Sequence, residues 1–491
     1  MSAGPVRRGD GPGGADVRGR WPAVGVGLVA AFMTLLDVSI VNVAIPSIDR
    51  ALRMSPGQLQ WVLAGYALTF GLILVPAGRF GDAHGRRDVF VTGLALFTAT
   101  SAAAGFASSP GWLVTARLLQ GAAAGIMTPQ VSGVIQELFP PRERGRPFGL
   151  LGATIGVSTA VGPLLGGLLI QLAGAQNGWR WVFYVNVPVG IVAMILAWRL
   201  FPRRPGPAGG RQLDPVGVIL LGSGVVLLLL PLVQERQWHG PLKWLLLPAA
   251  AALLAGFAWW ERRYASRGRP VFNLLLLRLR SYRLGALIAL VYFAGFTAIF
   301  FVFTLFLQAG LGYSALEAGL AITPFALGSA VAAALGGRIV DRIGRPLVAG
   351  GLLLTTAGLA AVVIAVQRVP GSATALYTAA PLLVAGLGSG LTISPNQTLT
   401  LAEVPVEEAG SAAGMLQTGQ RIGSAVGIAA VGATFFATLA ASGGGWPRAF
   451  RHALLLAIGF ILVALAAAVA DIVGERRGSG RPAQPTGRDG P

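Results

Sequence analysis

The chain has 491 residues, 54% of them hydrophobic and only 12% charged, with a mean hydropathy of +0.68. That charged share is about half the soluble norm, and a soluble fold of this length has no interior large enough for so much apolar surface. Disorder, a coiled coil and an ordinary cytosolic enzyme are thereby excluded, and the bilayer is the solvent that fits. The formal charge of +19 comes from 38 basic and 19 acidic residues, scattered in short clusters between apolar runs rather than gathered in a nucleic-acid patch. Seventy glycines and 31 prolines show no collagen period, and cysteine is absent, which removes disulfides and thiol chemistry. The three histidines, His84, His239 and His452, lie too far apart in sequence for metal-ligand spacing.

A spanning helix needs about 20 apolar residues. In chain order the candidate spans are 22–46, 58–77, 89–107, 111–136, 147–172, 181–200, 214–233, 242–260, 284–309, 315–336, 347–367, 373–395, 411–438 and 453–472. The polar, Arg-rich residues ahead of the first span look like the start of a signal peptide, but the apolar run behind them is too long and lacks a small-residue cleavage site. The expected fold class is an all-α integral membrane protein with 14 transmembrane helices. It has a cytoplasmic tail (1–20), a six-helix bundle (21–200), a linker with two inserted helices (201–262), a basic cytoplasmic loop (263–283), a second six-helix bundle (284–473) and a second tail (474–491). With both termini inside, 28 basic residues fall on the inner side, eight on the outer, and Arg117 and Arg421 inside spans. The positive-inside rule favours that orientation.

An internal repeat supports the same division. Residues 78–87 read GRFGDAHGRR and residues 337–346 read GRIVDRIGRP, matching at Gly, Arg, Asp, Gly and Arg with one offset, after spans 2 and 10 respectively. Two parallel six-helix bundles related by a pseudo-two-fold axis, with two inserted central helices, make a transporter architecture with a site near the midplane.

Four motifs on these spans give the chain a family. LDVSIVNVAIPSI (36–48), GRFGDAHGRR (78–87), RLLQGAAAG (117–125) and GPLLGG (162–167), with WRWVFYVNVP (179–188), resemble the major facilitator superfamily, specifically its fourteen-helix drug:proton antiporters. The resemblance covers roughly residues 20–475, and Ser158 stands where the fifth-helix motif often has another glycine. It implies that the fourth-helix arginine takes part in proton coupling and that the signature loop pins the two halves in one state.

Asp37 is the one carboxylate well inside a span. A charge there is costly unless it faces the bundle interior or water, so Asp37 is the candidate proton carrier; the bland alternative is an Asp that only fixes packing. At about 1.5 Å per residue, Asp37 lies roughly 13 Å and Arg117 roughly 9 Å from the outer face, compatible with a pair that is either coupling or purely structural. Gly78, Gly81, Asp82, Gly85, Arg86 and Arg87, with Asp341 and Arg345 in the second copy, form the candidate conformational switch, Gly81 and Gly85 allowing a tight turn; the alternative is a positive-inside anchor. Gly156, Gly162, Pro163, Gly166 and Gly167 slim and bend the fifth span, or simply let it pack closely.

Arg421, with Gln417 one turn before it, either meets a polar or anionic substrate group or a backbone carbonyl. Some members of the resembled family carry acids in spans 9–14 for divalent cations; none lies deep there in this chain, so the resemblance implies monocationic, neutral or anionic substrates. Tyr292, Phe296, Phe300 and Phe303 share a helical face that either lines a substrate cavity or is core; Asn42 and Gln120 complete the cavity candidates. Glu403, Glu407 and Glu408 read as a solvated face. There is no P-loop and no converging Ser/His/Asp set, so the chain reads as no enzyme and needs no cofactor or metal beyond a proton gradient. The expected partners are the lipid bilayer, protons and a small hydrophobic substrate, with no nucleic acid. The expected place is the inner membrane of a bacterium, the Arg-, Gly- and Ala-rich composition suiting a GC-rich one. The expected function is export of hydrophobic drugs in exchange for protons by alternating access; a proton-coupled importer and a non-transporting membrane sensor are the alternatives.

Overall fold

The computed structural model describes residues 17–174, 176–203, 214–233, 238, 240–266, 270–369, 371 and 373–479. The chain ends 1–16 and 480–491, the arginines within 204–213 and 267–269, Arg236 and His239 lie outside the described residues. The described residues form no strand. The first helices are α1 (Val17–Leu52), α2 (Pro56–His84), α3 (Arg86–Gly105), α4 (Pro110–Leu138), α5 (Gly145–Ala173), α6 (Gly178–Tyr184) and α7 (Asn186–Leu200). Then come α8 (Pro215–Val233), α9 (Leu246–Tyr264), α10 (Arg280–Leu305), α11 (Ala315–Ile343), α12 (Arg345–Arg368), α13 (Thr374–Thr400), α14 (Ala409–Ala441) and α15 (Trp446–Ser479). Serines start several of them: Ser55 and Ser314 cap α2 and α11 as capping boxes with Gln58 and Glu317, and Ser109 accepts from Trp112 N at the start of α4. Prolines 76, 129, 163 and 324 sit inside helices that continue through them, as neighbouring helices in a membrane permit.

Among the described residues, 13 helical segments are long and apolar enough to cross a bilayer, with α6 and α7 joined as one segment, Gly178–Leu200. The expected fourth span is the exception. Helix α4 has 29 residues, but Arg117, Gln120, Gln130, Gln136 and Glu137 lower its hydropathy, and the first four are buried. It is polar because it faces other helices, not lipid.

Packing follows the repeat. Helix α4 lies against α2 and α3, and α1 against α5; correspondingly α13 lies against α11 and α12, and α10 against α14. Between them, α8 and α9 form a hairpin whose α8 touches α2 and α14. At its base, Asp214 accepts hydrogen bonds from Trp260 Nε1 (2.7 Å) and Gly217 N (3.0 Å). The two sets of helices meet along two seams, α2 with α14 and α5 with α11.

The signature segments are not loops. Residues 78–84 are the last turns of α2, and 337–343 are the last turns of α11. Only Gly85 (φ 104°) and Gly344 (φ 68°) break the helices, in the left-handed region that favours glycine. Gly81, expected to help the turn, lies inside α2, where a Cβ would collide with the Gln130 amide.

In lipid, helices associate through close packing rather than a hydrophobic drive, so glycines at backbone crossings carry much of the stability. A Cβ on Gly427 of α14 would collide with the Ala294 carbonyl of α10, whereas one on Gly167 of α5 meets nothing within 4 Å. Gly427→Ala is therefore expected to cost roughly 1–3 kcal/mol, as overpacking does, and to lower the apparent melting temperature of the detergent-purified protein. Gly167→Ala should melt as wild type; equal melting of both variants would refute this reading of the α10–α14 crossing.

Candidate functional site

A polar cluster sits inside the first set of helices. Helix α1 supplies Asp37 and α4 supplies Arg117, exposed by 0% and 1%. Arg117 Nη1 meets Asp37 Oδ2 at 2.5 Å. Gln120 Nε2 donates to Asp37 Oδ1 at 3.0 Å and Asn186 Nδ2 to the same oxygen at 3.3 Å. The Gln120 amide has one sensible orientation, because its Oε1 accepts from Arg117 Nη1 at 2.7 Å while its nitrogen faces the carboxylate. Arg117 Nε donates to the Val62 carbonyl at 3.0 Å, and its guanidinium lies 4.3 Å from the centroid of the Tyr66 ring. Asn186 is held in turn by Ser101 Oγ (3.2 Å), which donates to the Phe183 carbonyl (2.9 Å). Helices α1, α2, α3, α4, α6 and α7 thus converge on one carboxylate whose two oxygens are both engaged. A buried pair of this kind persists only where hydrogen bonds satisfy the remaining valences, and here they do. A proton reaching Asp37 at Oδ2 would cancel the charge that holds Arg117.

The second polar region lies at the end of the molecule where both described chain ends lie. Asp82 accepts from Arg86 Nη2 (2.9 Å) and from the backbone of α14, Gly410 N to Oδ1 (3.0 Å) and Ser411 N to Oδ2 (2.9 Å). A carboxylate at a helix N-terminus is well placed electrostatically. Arg86 also pairs with Glu137 Oε2 (3.0 Å), donates to the Gly133 carbonyl (3.1 Å), and reaches the Val406 carbonyl across the seam. Gly78 lies so close to the Gly410 carbonyl that a Cβ would collide with it, and Gly145 and Gly337 stand in the same relation on the other seam. Arg144 bridges Phe139 and Gln136 to Leu401, and Gln397 Nε2 meets Ser132 Oγ at 3.3 Å. The two sets of helices are therefore closed on each other at this end. Arg87 does not join them: it pairs with Asp88 and stacks on Trp198, 4.2 Å from the ring centroid.

The second copy of the signature departs from the first. Arg345 is buried and bonds Asp471 Oδ2 (2.7 Å), Asn396 Oδ1 (2.7 Å) and the Ser281 carbonyl (2.7 Å). Asn396 stands at the repeat position of Glu137. Asp341, expected to match Asp82, is exposed, and no ion pair joins it to Arg345.

The α5 motif splits by neighbour. Gly156 lies against Ala326 and Ala330 of α11, Pro163 against Gly319 of α11, and Gly162 and Gly166 against Ser39 and Ile40 of α1. Gly167 has no such neighbour. The proposed cavity also splits. Tyr292 is 1% exposed and its hydroxyl donates to Ser389 Oγ at 2.8 Å, so it is core and not cavity wall; Phe303, likewise buried, packs on Phe450. Phe296 and Phe300 are half-buried against Phe325. Asn42 is exposed and donates to the Val38 carbonyl of its own helix at 3.1 Å. Gln120 belongs to the Asp37 cluster. Gln417 and Arg421 lie on α14, where the Arg421 guanidinium rests 4.4 Å from the Phe70 centroid. Of the acidic cluster, Glu403 and Glu407 are exposed, whereas Glu408 is partly buried and accepts from Asn273 Nδ2 at 2.9 Å.

Sequence reasoning missed Asn186, Ser101, Glu137, Asn396, Asp471 and Arg144. Asn186 lay inside the quoted WRWVFYVNVP segment, and Glu137 and Asn396 share the repeat offset. Asp471 and Arg144 gave no signal, since their partners are distant in the chain.

The sequence profile of the Major Facilitator Superfamily matches residues 27–428. Among curated relatives, "Probable actinorhodin transporter" of Streptomyces coelicolor is 38% identical over 86% of this chain and 73% of its own, and "Puromycin resistance protein pur8" of Streptomyces alboniger is 36% identical over 85% and 82%. "Tetracenomycin C resistance and export protein" of Streptomyces glaucescens is 32% identical over 85% and 76%. Among solved structures, the MFS proton:xylose symporter XylE bound to 6-bromo-6-deoxy-D-glucose superposes with TM-score 0.65 at 14% identity, covering 92% of this chain and 94% of that one. The human organic anion transporter MFSD10 superposes with TM-score 0.66 at 15% identity, covering 91% and 99%. At those identities the structures speak to the fold alone, while the relatives are antibiotic and multidrug efflux transporters and not enzymes. The chain is a multi-pass membrane protein and belongs to the Major Facilitator Superfamily.

Proposed function

We propose that this chain exports small hydrophobic, antibiotic-like compounds from a bacterial cytoplasm in exchange for protons, by alternating access. It sits in the inner membrane with both termini cytoplasmic and needs no cofactor beyond the proton gradient. In this reading α4, the fourth span in chain order, brings the number of spans to fourteen and is polar because it is enclosed, and the α8–α9 hairpin is inserted between two pseudo-two-fold-related six-helix bundles. The arginine distribution supports the orientation, and the relatives' names support export.

The observation that carries the coupling is the buried Asp37–Arg117 pair. Asp37 is the proton carrier and Arg117 its counter-ion: protonation from outside neutralises the carboxylate and frees Arg117, and deprotonation toward the cytoplasm restores the pair. The closed end corresponds to the outward-facing member of the cycle. Gly78, Gly81, Asp82, Gly85 and Arg86 form its latch, and α5, through Gly156, Gly162, Pro163 and Gly166, is the helix that rocks between α1 and α11.

Two experiments test these roles. In everted vesicles with an imposed proton gradient, a transported compound should collapse the gradient in wild type and not in Asp37→Asn, while substrate–substrate counterflow continues in the variant. Loss of both would make Asp37 structural, and retention of both would remove it as the carrier.

The latch is tested by cross-linking, for which the natural absence of cysteine is convenient. Ser132→Cys with Gln397→Cys should be bridged by a short bifunctional thiol reagent. Asp82→Asn weakens hydrogen bonds to a charged group worth about 1.5–3 kcal/mol, roughly tenfold or more in the closed-to-open ratio, so the bridged fraction should fall clearly. Unchanged bridging would exclude Asp82 as a latch.

A further inference from the structure

Among the described residues, the arginines buried between helices have acceptors, whereas Arg421, half-buried on α14, has none. Arg117 has a carboxylate, an amide and a carbonyl. Arg86, Arg144 and Arg345 each have three or more acceptors. Arg421 stands within the apolar segment Val406–Ala441, and among the described residues no ion pair or hydrogen bond reaches it. Its stem lies beside Gly71 of α2, and its guanidinium faces the ring of Phe70. A cation–π contact offsets part of the desolvation, but it supplies none of the acceptors that five N–H donors require. One turn earlier, Gln417 Oε1 is buried with no hydrogen-bond partner; a half-turn of this unrestrained amide presents its NH2 group, the donor an anionic oxygen requires. Two polar groups at mid-helix, on the α14 face turned toward the other half, are thus left incomplete at a depth where incompleteness is expensive.

The charge of this region is fixed by its neighbours. Asp37 is consumed by Arg117. Tyr66, the titratable group next to Phe70, has its hydroxyl directed at the Thr34 carbonyl (3.4 Å). From α8, Leu229 closes on Gly71. This position therefore presents a planar cation and an amide in largely apolar surroundings.

We propose that Arg421, assisted by Gln417, anchors the anionic oxygen group of the transported compound, so that the substrate class is a hydrophobic organic acid: an apolar body bearing one carboxylate or ionised hydroxyl. The guanidinium fork matches such oxygens geometrically. This assignment rests on the exporter reading and adds the sign of the cargo. Exchange of one exported monoanion for one imported proton moves two positive charges inward, so transport is electrogenic.

The test uses the full chain in nanodiscs, with no gradient, and four probes: naphthalene-2-carboxylate, its neutral carboxamide, 2-naphthylmethylammonium and acetate. Charge-assisted hydrogen bonds predict that wild type binds the carboxylate roughly tenfold or more tighter than the carboxamide, with the ammonium and acetate weaker still. Arg421→Gln should erase that preference, and Arg421→Lys, which keeps the charge but not the fork, should retain part of it. Equal affinity for carboxylate and carboxamide in wild type, or an unchanged preference in Arg421→Gln, overturns the proposal. If Arg421→Gln does not fold, Gln417→Leu serves: a several-fold loss confined to the carboxylate supports the site, and no loss overturns it. Transport of the ammonium or carboxamide against protons without carboxylate binding would sink the anion anchor and leave the exporter standing. Arg421-dependent carboxylate binding without proton-linked movement would do the reverse.

Discussion

The carboxylate of Asp37 is the constraint around which the first half of this protein is built. A charge at that depth is tolerable only if every lone pair facing the interior finds a donor, and the protein draws those donors from two helices, Arg117 and Gln120 from α4 and Asn186 from α7. Two of these donors are themselves held by a group on another helix, Arg117 by the Val62 carbonyl and Asn186 by Ser101, and Gln120 is held by Arg117. The position of α1 relative to α2, α3, α4 and α7 is therefore tied to the charge on one side chain. In the proposed coupling, a change in that charge would be felt as a change in helix packing.

The same network reaches toward the other half. Arg117 lies over Tyr66, Tyr66 stacks on Phe70 with centroids 6.1 Å apart, and Phe70 lies under Arg421. The two rings are one turn apart on α2, so the satisfied arginine and the unsatisfied one stand at opposite ends of a single stack on one rigid element. Any movement of α2 against α14 alters both ends together.

Much of the fold was legible in the sequence because lipid makes length and apolarity decisive. The two signature segments announced the repeat, and Gly85 and Gly344 break their helices at the same repeat position. What was not legible had physical causes. The polarity of α4 is that of an enclosed helix, which a hydropathy count cannot separate from an exposed one. The two signature segments looked like loops because they are rich in charge, yet they are the ends of α2 and α11, and in the first copy Asp82, Arg86 and Arg87 are paired. Tyr292 and Phe303 shared a helical stripe with Phe296 and Phe300, and spacing alone does not say which side of the stripe the core takes. Asp37 and Arg117 were visible singly, but Asn186 and Glu137 became site residues only through contacts 149 and 51 residues away in the chain.

The closed end has a feature that bears on how often the protein can cycle. The charged side chains that reach across the α2–α14 seam and between α5 and α13 do so toward backbone groups: Asp82 toward two N–H groups, Arg86 and Arg144 toward carbonyls. Each keeps further partners on its own side, Asp82 with Arg86, Arg86 with Glu137, and Arg144 with Phe139 and Gln136. When the halves part, these contacts trade hydrogen bonds for water, but no carboxylate or guanidinium is left as a bare ion. Opening of this seam would thus avoid the several kcal/mol that stranding a buried charge imposes, and in the proposed alternating-access cycle the latch would lock and unlock without an electrostatic barrier of its own making.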